Sequence, residues 1–270
     1  MPGPRWIREK PESLWPGKFR AGPPLPGGRV DFGAVLSRYI NSGFAIGNES
    51  HLSLYNFIGF EESRLPPMPE LSSIFEETIS EHLKVIQALG DQQPVLERIA
   101  GKMCAAIQAG KKILWFGNGG SAADAQHMAA ELVGRFLLER RALASIALTT
   151  DTSILTSVAN DYGFECVFSR QVEGLCQAGD VVVGISTSGN SKNVCKALQS
   201  ARDLGAFTVV FTGQNGGLAA GIAEATLAVP SVETPRIQEA HNLCGHMLCD
   251  YIERFIFAPS HKGAHGAEQR

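Results

Sequence analysis

Ile113-Leu114-Trp115-Phe116-Gly117-Asn118-Gly119-Gly120-Ser121 passes from four apolar residues straight into three glycines and then into an alanine-rich segment. Successive strand side chains point to opposite sides, so an unbroken apolar run predicts a strand buried on both faces. A glycine loop followed by a helix completes the repeating unit of a parallel sheet. The unit recurs downstream. Strands are expected at Lys112–Phe116, Ala144–Leu148, Asp180–Ile185, Thr208–Phe211 and Leu227–Val229. Helical patterns fill about 122–139, 152–159, 165–177, 190–204 and 216–222, and a long last helix covers about 235–257. Right-handed crossovers then give an α/β fold: a doubly wound five-stranded parallel sheet in an α/β/α sandwich.

Upstream, the sequence predicts a helical hairpin over about 72–109. Ser72 or Ser73 caps the first helix, Ile74, Phe75, Ile79, Leu83, Ile86 and Leu89 form its apolar side, and Gly90 stops it. Pro94 suits the first turn of the second helix, whose buried face is Val95, Ile99, Met103 and Ile107 and whose stop is Gly110. The hairpin and the α/β core, about 112–257, make one expected domain over 68–270. Residues 1–67 differ: they hold nine of the fourteen prolines and read as a disordered extension. Two readings of them stay open, a genuine extension and a start of the functional protein at Met68.

The chain has 270 residues, 44% hydrophobic, 19% charged, with net charge −3. That balance gives no support for nucleic acid or an anionic membrane as partner. No stretch approaches the roughly 18 uncharged apolar residues of a membrane span, and no apolar run follows Met1 as in a secretory signal. Six cysteines, Cys104, Cys166, Cys176, Cys195, Cys244 and Cys249, form no CxxC pair. Reduced, mostly buried thiols in a cytoplasmic protein are the expectation.

Three features carry chemistry. The Gly117–Ser121 loop lies at a strand's carboxyl end and opens a helix, where free N–H groups and the dipole favour an anion. Its spacing is neither GxGxxG nor GxxxxGK[ST], so it is a non-nucleotide binding loop or a tight turn. Ser186-Thr187-Ser188-Gly189-Asn190-Ser191 follows the third strand and opens the next helix. One cap needs one hydroxyl and four are present, which favours a neutral phosphate cradle over a heavily capped helix. His127 and Glu131, spaced i, i+4, share a helix face, and Gln238, His241 and His246 lie on the last helix. A His and a carboxylate so spaced bind zinc with help from elsewhere, or form a plain surface ion pair. Gln238 and His246 are eight apart, a rise of about 12 Å with faces about 80° apart on a continuous helix. Joint ligation therefore expects Gln238 at an unwound helix start, or atoms from a neighbouring subunit, with His241 as an alternative. Asn160-Asp161 presents polar groups after a helix, for substrate or as simple turn chemistry.

Together these motifs resemble the sugar isomerase (SIS) superfamily, and within it the bacterial phosphoheptose isomerase family, over about residues 70–258. The resemblance implies an isomerase that converts sedoheptulose 7-phosphate to D-glycero-D-manno-heptose 7-phosphate. It implies that Asn118, Gly119, Gly120 and Ser121 line the sugar, that Ser186, Thr187, Ser188 and Ser191 hold the phosphate, and that Asn160 and Asp161 contact substrate hydroxyls. His127, Glu131, Gln238 and His246 would ligate Zn2+, Glu131 and Gln238 would also touch substrate, and Glu131 and His246 would be the acid/base pair. It further implies a homotetramer with active sites at subunit interfaces, which relieves the reach problem. A neighbouring class, the DnaA initiator-associating proteins, offers an alternative with DnaA as partner. The stretches Gly120–His127 and Leu248–Ile252 are similar to it. That class does not keep the carboxylate and final histidine, so the presence of Glu131 and His246 favours the enzyme.

Overall fold

A computed structural model describes residues 70–257 of the chain, which lie in the compact unit Pro69–Arg270. The expectations for residues 1–67 fall outside the described residues. The elements are α1 (Leu71–Ala88), a 3-10 turn, α2 (Gln93–Gln108), β1 (Ile113–Gly117), α3 (Gly120–Val133), β2 (Ser145–Ala147) and α4 (Thr152–Tyr162). After another 3-10 turn come α5 (Ser169–Leu175), β3 (Val181–Ile185), α6 (Lys192–Asp203), β4 (Phe207–Gly213), α7 (Gly217–Ala220), β5 (Ala225–Val229) and α8 (Thr234–Phe257). All strand pairs are parallel, in the order β2-β1-β3-β4-β5.

The apolar strands sort their side chains by parity, as the period of two requires. Ile113, Trp115, Val181 and Val183 face a core closed by α2, α3 and α8. Leu114, Phe116, Val182 and Val210 face the opposite core, closed by α5, α6 and α7. Helices thus cover both faces, and the winding reverses between β1 and β3. In such sheets ligands bind at the carboxyl edge of this reversal. The loops after β1 and β3 are the glycine loop and the STSGNS loop.

Several local expectations need correction. Ser72 and Ser73 do not cap α1: Glu70 is the N-cap residue without a side-chain bond, and Ser73 Oγ donates back to the Glu70 carbonyl at 2.8 Å. The third helix stops at Val133 rather than near 139. Asn160 and Asp161 lie within the last turn of α4, not beyond it. All six cysteines are free, and five are buried.

Candidate functional site

The glycine loop is shaped by close approaches. A Cβ at Gly117 would stand 2.8 Å from the Ser121 Cβ and 2.9 Å from the Ile185 carbonyl, so only glycine lets β1 turn there against β3. Gly119 has φ +56°, the left-handed region. Ser121 is buried in the first turn of α3. The Asn118 amide is tied to a residue that sequence reasoning missed. Its Nδ2 donates to Asn193 Oδ1 at 2.9 Å, and Asn193 Nδ2 donates back to Asn118 Oδ1 at 2.8 Å. This reciprocal pair ties the glycine loop to the first turn of α6 across the winding reversal. The signal for Asn193 was a lone amide beside the buried Val194, Ala197 and Leu198 of α6.

In the STSGNS loop, none of the hydroxyls caps α6. Ser191 is the N-cap residue but its side chain accepts no cap bond, and its hydroxyl instead meets Ser186 Oγ at 3.0 Å. Ser188 is exposed and accepts from the Asn190 N–H at 3.2 Å. Asn193 Oδ1 takes the Val194 N–H at 3.0 Å, so the N–H groups of Lys192 and Asn193 are those left for an anion. Asn118 and Ser191 also border an open cleft of about 500 Å³ that reaches Tyr162 and Lys192. Asn160 and Asp161 are exposed and bond to each other, Nδ2 to Oδ1, at 2.8 Å.

The ionisable residues come together across two helices. His127 and Glu131 lie on α3 and His246 on α8, with ligand atoms all within 4.8 Å of one another. His127 Nε2 stands 3.0 Å from Glu131 Oε1 and 3.4 Å from His246 Nε2. Two imidazoles and one carboxylate form a donor set suited to zinc, with a position left open. The helices approach this closely because each carries a glycine under the other's side chain. The Gln238 amide of α8 occupies the space of a Gly120 Cβ, and Met128 of α3 occupies that of a Gly245 Cβ.

Gln238 is thus brought to the glycine loop, and α8 is continuous through it, so the expected unwound start is absent. His241 is not an alternative ligand. It is 1% exposed and its Nε2 meets the Thr212 carbonyl at 3.2 Å. Burial pushes its pKa down to about 4, only partly opposed by that carbonyl, so it is neutral near pH 7.

Three further residues were missed. Glu253 on α8 is fully buried, and its carboxylate accepts from the N–H groups of Phe136, Leu137 and Leu138 at 2.7–2.8 Å and from Arg140 Nε at 2.9 Å. Burial alone would raise the Glu253 carboxyl, but these donors hold it below the usual range. Arg140 donates in turn to the carbonyls of Glu131, Leu132 and Gly134, satisfying the open end of α3. The loop so held sets the Phe136 ring against His246, tilted by 32° with centroids 5.2 Å apart. No local pattern signals a contact that spans more than a hundred residues.

Comparisons with known proteins show the family of the chain. Residues 75–213 match the SIS domain family model. The phosphoheptose isomerase of Aquifex aeolicus is 54% identical over 189 residues, 70% of this chain and 97% of that protein. The solved phosphoheptose isomerase of Neisseria gonorrhoeae aligns with TM-score 0.65 and 43% identity, covering 68% of this chain and 99% of its own. That of Francisella tularensis aligns with TM-score 0.64 and 35% identity, covering 70% and 100%.

Proposed function

The chain belongs to the phosphoheptose isomerase family of SIS-domain proteins, and we propose that it interconverts D-sedoheptulose 7-phosphate and D-glycero-D-manno-heptose 7-phosphate in the cytoplasm. The product would feed nucleotide-activated heptose for lipopolysaccharide or capsule. The observation that carries the reading is a carboxylate and two imidazoles gathered between α3 and α8, in a chain whose α6 N-terminus has hydroxyls that are not spent on capping.

Ketose-to-aldose isomerisation moves one proton from C1 to C2 and another from the C1 oxygen to the C2 oxygen, through a cis-enediol. Glu131 removes the C1 proton and returns it to C2, while His246 transfers the oxygen-bound proton. Glu131 Oε1 faces His127, which leaves Oε2 for the substrate carbon. Ser186, Thr187, Ser188 and Ser191 hold the phosphate. Asn118, Gly119, Gly120, Ser121, Gln238, Asn160 and Asp161 contact the sugar, the last two from the exposed end of α4. His127, Glu131 and His246, with Gln238 as the fourth ligand, would hold a zinc ion, which would polarise a carbonyl as a Lewis acid or hold the subunit interface in order. The distance of Gln238 from the trio favours completion of the site in a homotetramer. So does the apolar side of α1, where Leu71, Ile74, Phe75 and Ile79 are exposed on the single chain.

The test is NMR of sedoheptulose 7-phosphate with zinc-supplied protein in D2O. An aldose anomeric signal and deuterium uptake are expected, and both vanish in Glu131→Gln while phosphate binding persists. Full turnover by Glu131→Gln overturns the assignment of the base.

A further inference from the structure

Asp124 is a carboxylate in this site that the reaction does not use. It lies one turn before His127 on α3. Its Oδ1 accepts from Asn242 Nδ2 at 3.3 Å, and its Oδ2 is buried with no hydrogen-bond partner. A buried acceptor left unsatisfied is costly, so the free oxygen calls for an explanation. The same Asn242 Nδ2 stands 3.4 Å from His127 Nδ1.

An amide nitrogen carries two protons and accepts none. In this arrangement Asn242 therefore donates to both neighbours, and His127 Nδ1 is an acceptor. The ring proton then sits on Nε2, the nitrogen that faces Glu131 Oε1 at 3.0 Å and His246 at 3.4 Å. That tautomer closes Nε2 to a cation. Ligation through Nε2 needs the proton on Nδ1, and an Nδ1–H needs an acceptor. Asn242 cannot supply one without turning its carbonyl oxygen onto the Asp124 carboxylate, acceptor against acceptor. Asp124 can: it is three residues from His127 on the same helix, on the Asn242 side, with an oxygen free.

We propose that Asp124 and Asn242 are positioning residues for His127: Asn242 holds the Asp124 carboxylate at the Nδ1 side of the ring, and Asp124 Oδ2 accepts the Nδ1 hydrogen when Nε2 takes a divalent cation. The carboxylate then fixes the ring's orientation and makes the ligand nitrogen more basic. This inference rests on the metal reading above.

The experiment titrates zinc ion alone into metal-stripped, full-length protein against a chromophoric chelator. It compares wild type, Asp124→Asn, Asn242→Ala and, as the control on the metal reading, His246→Ala. Asp124→Asn and Asn242→Ala are expected to weaken zinc binding by about tenfold or more. Imidazole 1H–15N NMR of the zinc-loaded proteins shows the His127 Nδ1–H proton moved downfield by its bond to the carboxylate in wild type and returned upfield in Asp124→Asn. Zinc binding that is absent from the wild type, or unchanged in His246→Ala, overturns the metal reading and this inference with it. Weak binding by His246→Ala, with both positioning variants within about twofold of wild type, overturns this inference alone. Asn242→Ala leaves the carboxylate in place and decides the matter should Asp124→Asn not fold.

Discussion

Replacing Glu253 by glutamine keeps the side chain's shape and removes one acceptor oxygen. Four N–H donors converge on the two native oxygens, from Phe136, Leu137, Leu138 and Arg140. The glutamine amide places its own donor among them. The side chains of Arg140 and Glu253 are 1% and 0% exposed, so water cannot take over. A buried guanidinium left without its counter-charge costs about 3–5 kcal/mol, a large share of a total stability of about 5–15 kcal/mol. Urea unfolding of the full chain, followed by far-UV circular dichroism, reads this as a lower midpoint at unchanged slope. The double variant Arg140→Leu, Glu253→Leu sharpens the test. Apolar replacement of an isolated buried pair is often neutral or stabilising. Here the peptide groups of 136–138 and the carbonyls at the end of α3 lose partners as well, each worth about 1 kcal/mol or more. The double variant should therefore stay destabilised. Glu253→Gln within about 1 kcal/mol of wild type, or a double variant as stable as wild type, refutes the reasoning.

Stability should also respond to His241. The unfolded imidazole binds its proton near pH 6.5 and the folded one only near 4, so stability is full above 6.5 and falls by about 3 kcal/mol as pH drops through that window. Urea unfolding at several pH values should show this slope in wild type and lose it in His241→Gln; equal slopes would contradict it. Gly245→Ala forces Met128, itself 1% exposed, out of its place against α8. A loss of about 1–3 kcal/mol in thermal unfolding is expected, with weaker zinc uptake as the trio separates. Ser188→Ala should raise KM with kcat nearly unchanged, because the phosphate is held alike in ground and transition states; a large fall in kcat at constant KM would exclude that role.

The fold was legible because its signals are local. Doubly buried strands such as Val181–Ile185 are apolar at nearly every position, and Gly90, Pro94 and Gly110 punctuate the hairpin. The i, i+4 spacing of His127 and Glu131 was legible for the same reason. Errors arose where a distant partner overrides local preference. Arg135–Glu139 continues a helical charge pattern, yet Gly134 ends α3 and Glu253 captures the next N–H groups for a loop. The reach between Gln238 and His246 follows from helix geometry once α8 is continuous through both, but which residue would fill the space over Gly120 depends on how α3 and α8 cross. Asp124 and Asn193 were invisible because one carboxylate or amide on a helix carries no signal until its partner on another element is known.

The exchange of notches between α3 and α8, Gly120 under Gln238 and Gly245 under Met128, has a bearing on how this sequence can change over time. The gap that the two helices present to an ion is gauged by main chain lying against side chain at two fixed stations. It is not gauged by the summed volume of the leucines, valines and cysteines beneath the sheet-facing sides. Drift in that interior, conserving overall volume, can proceed without retuning the distance between Glu131 and His246. The same chain is unforgiving at the two glycines. A library that randomises both regions should return many functional interiors and almost none with a side chain at either station.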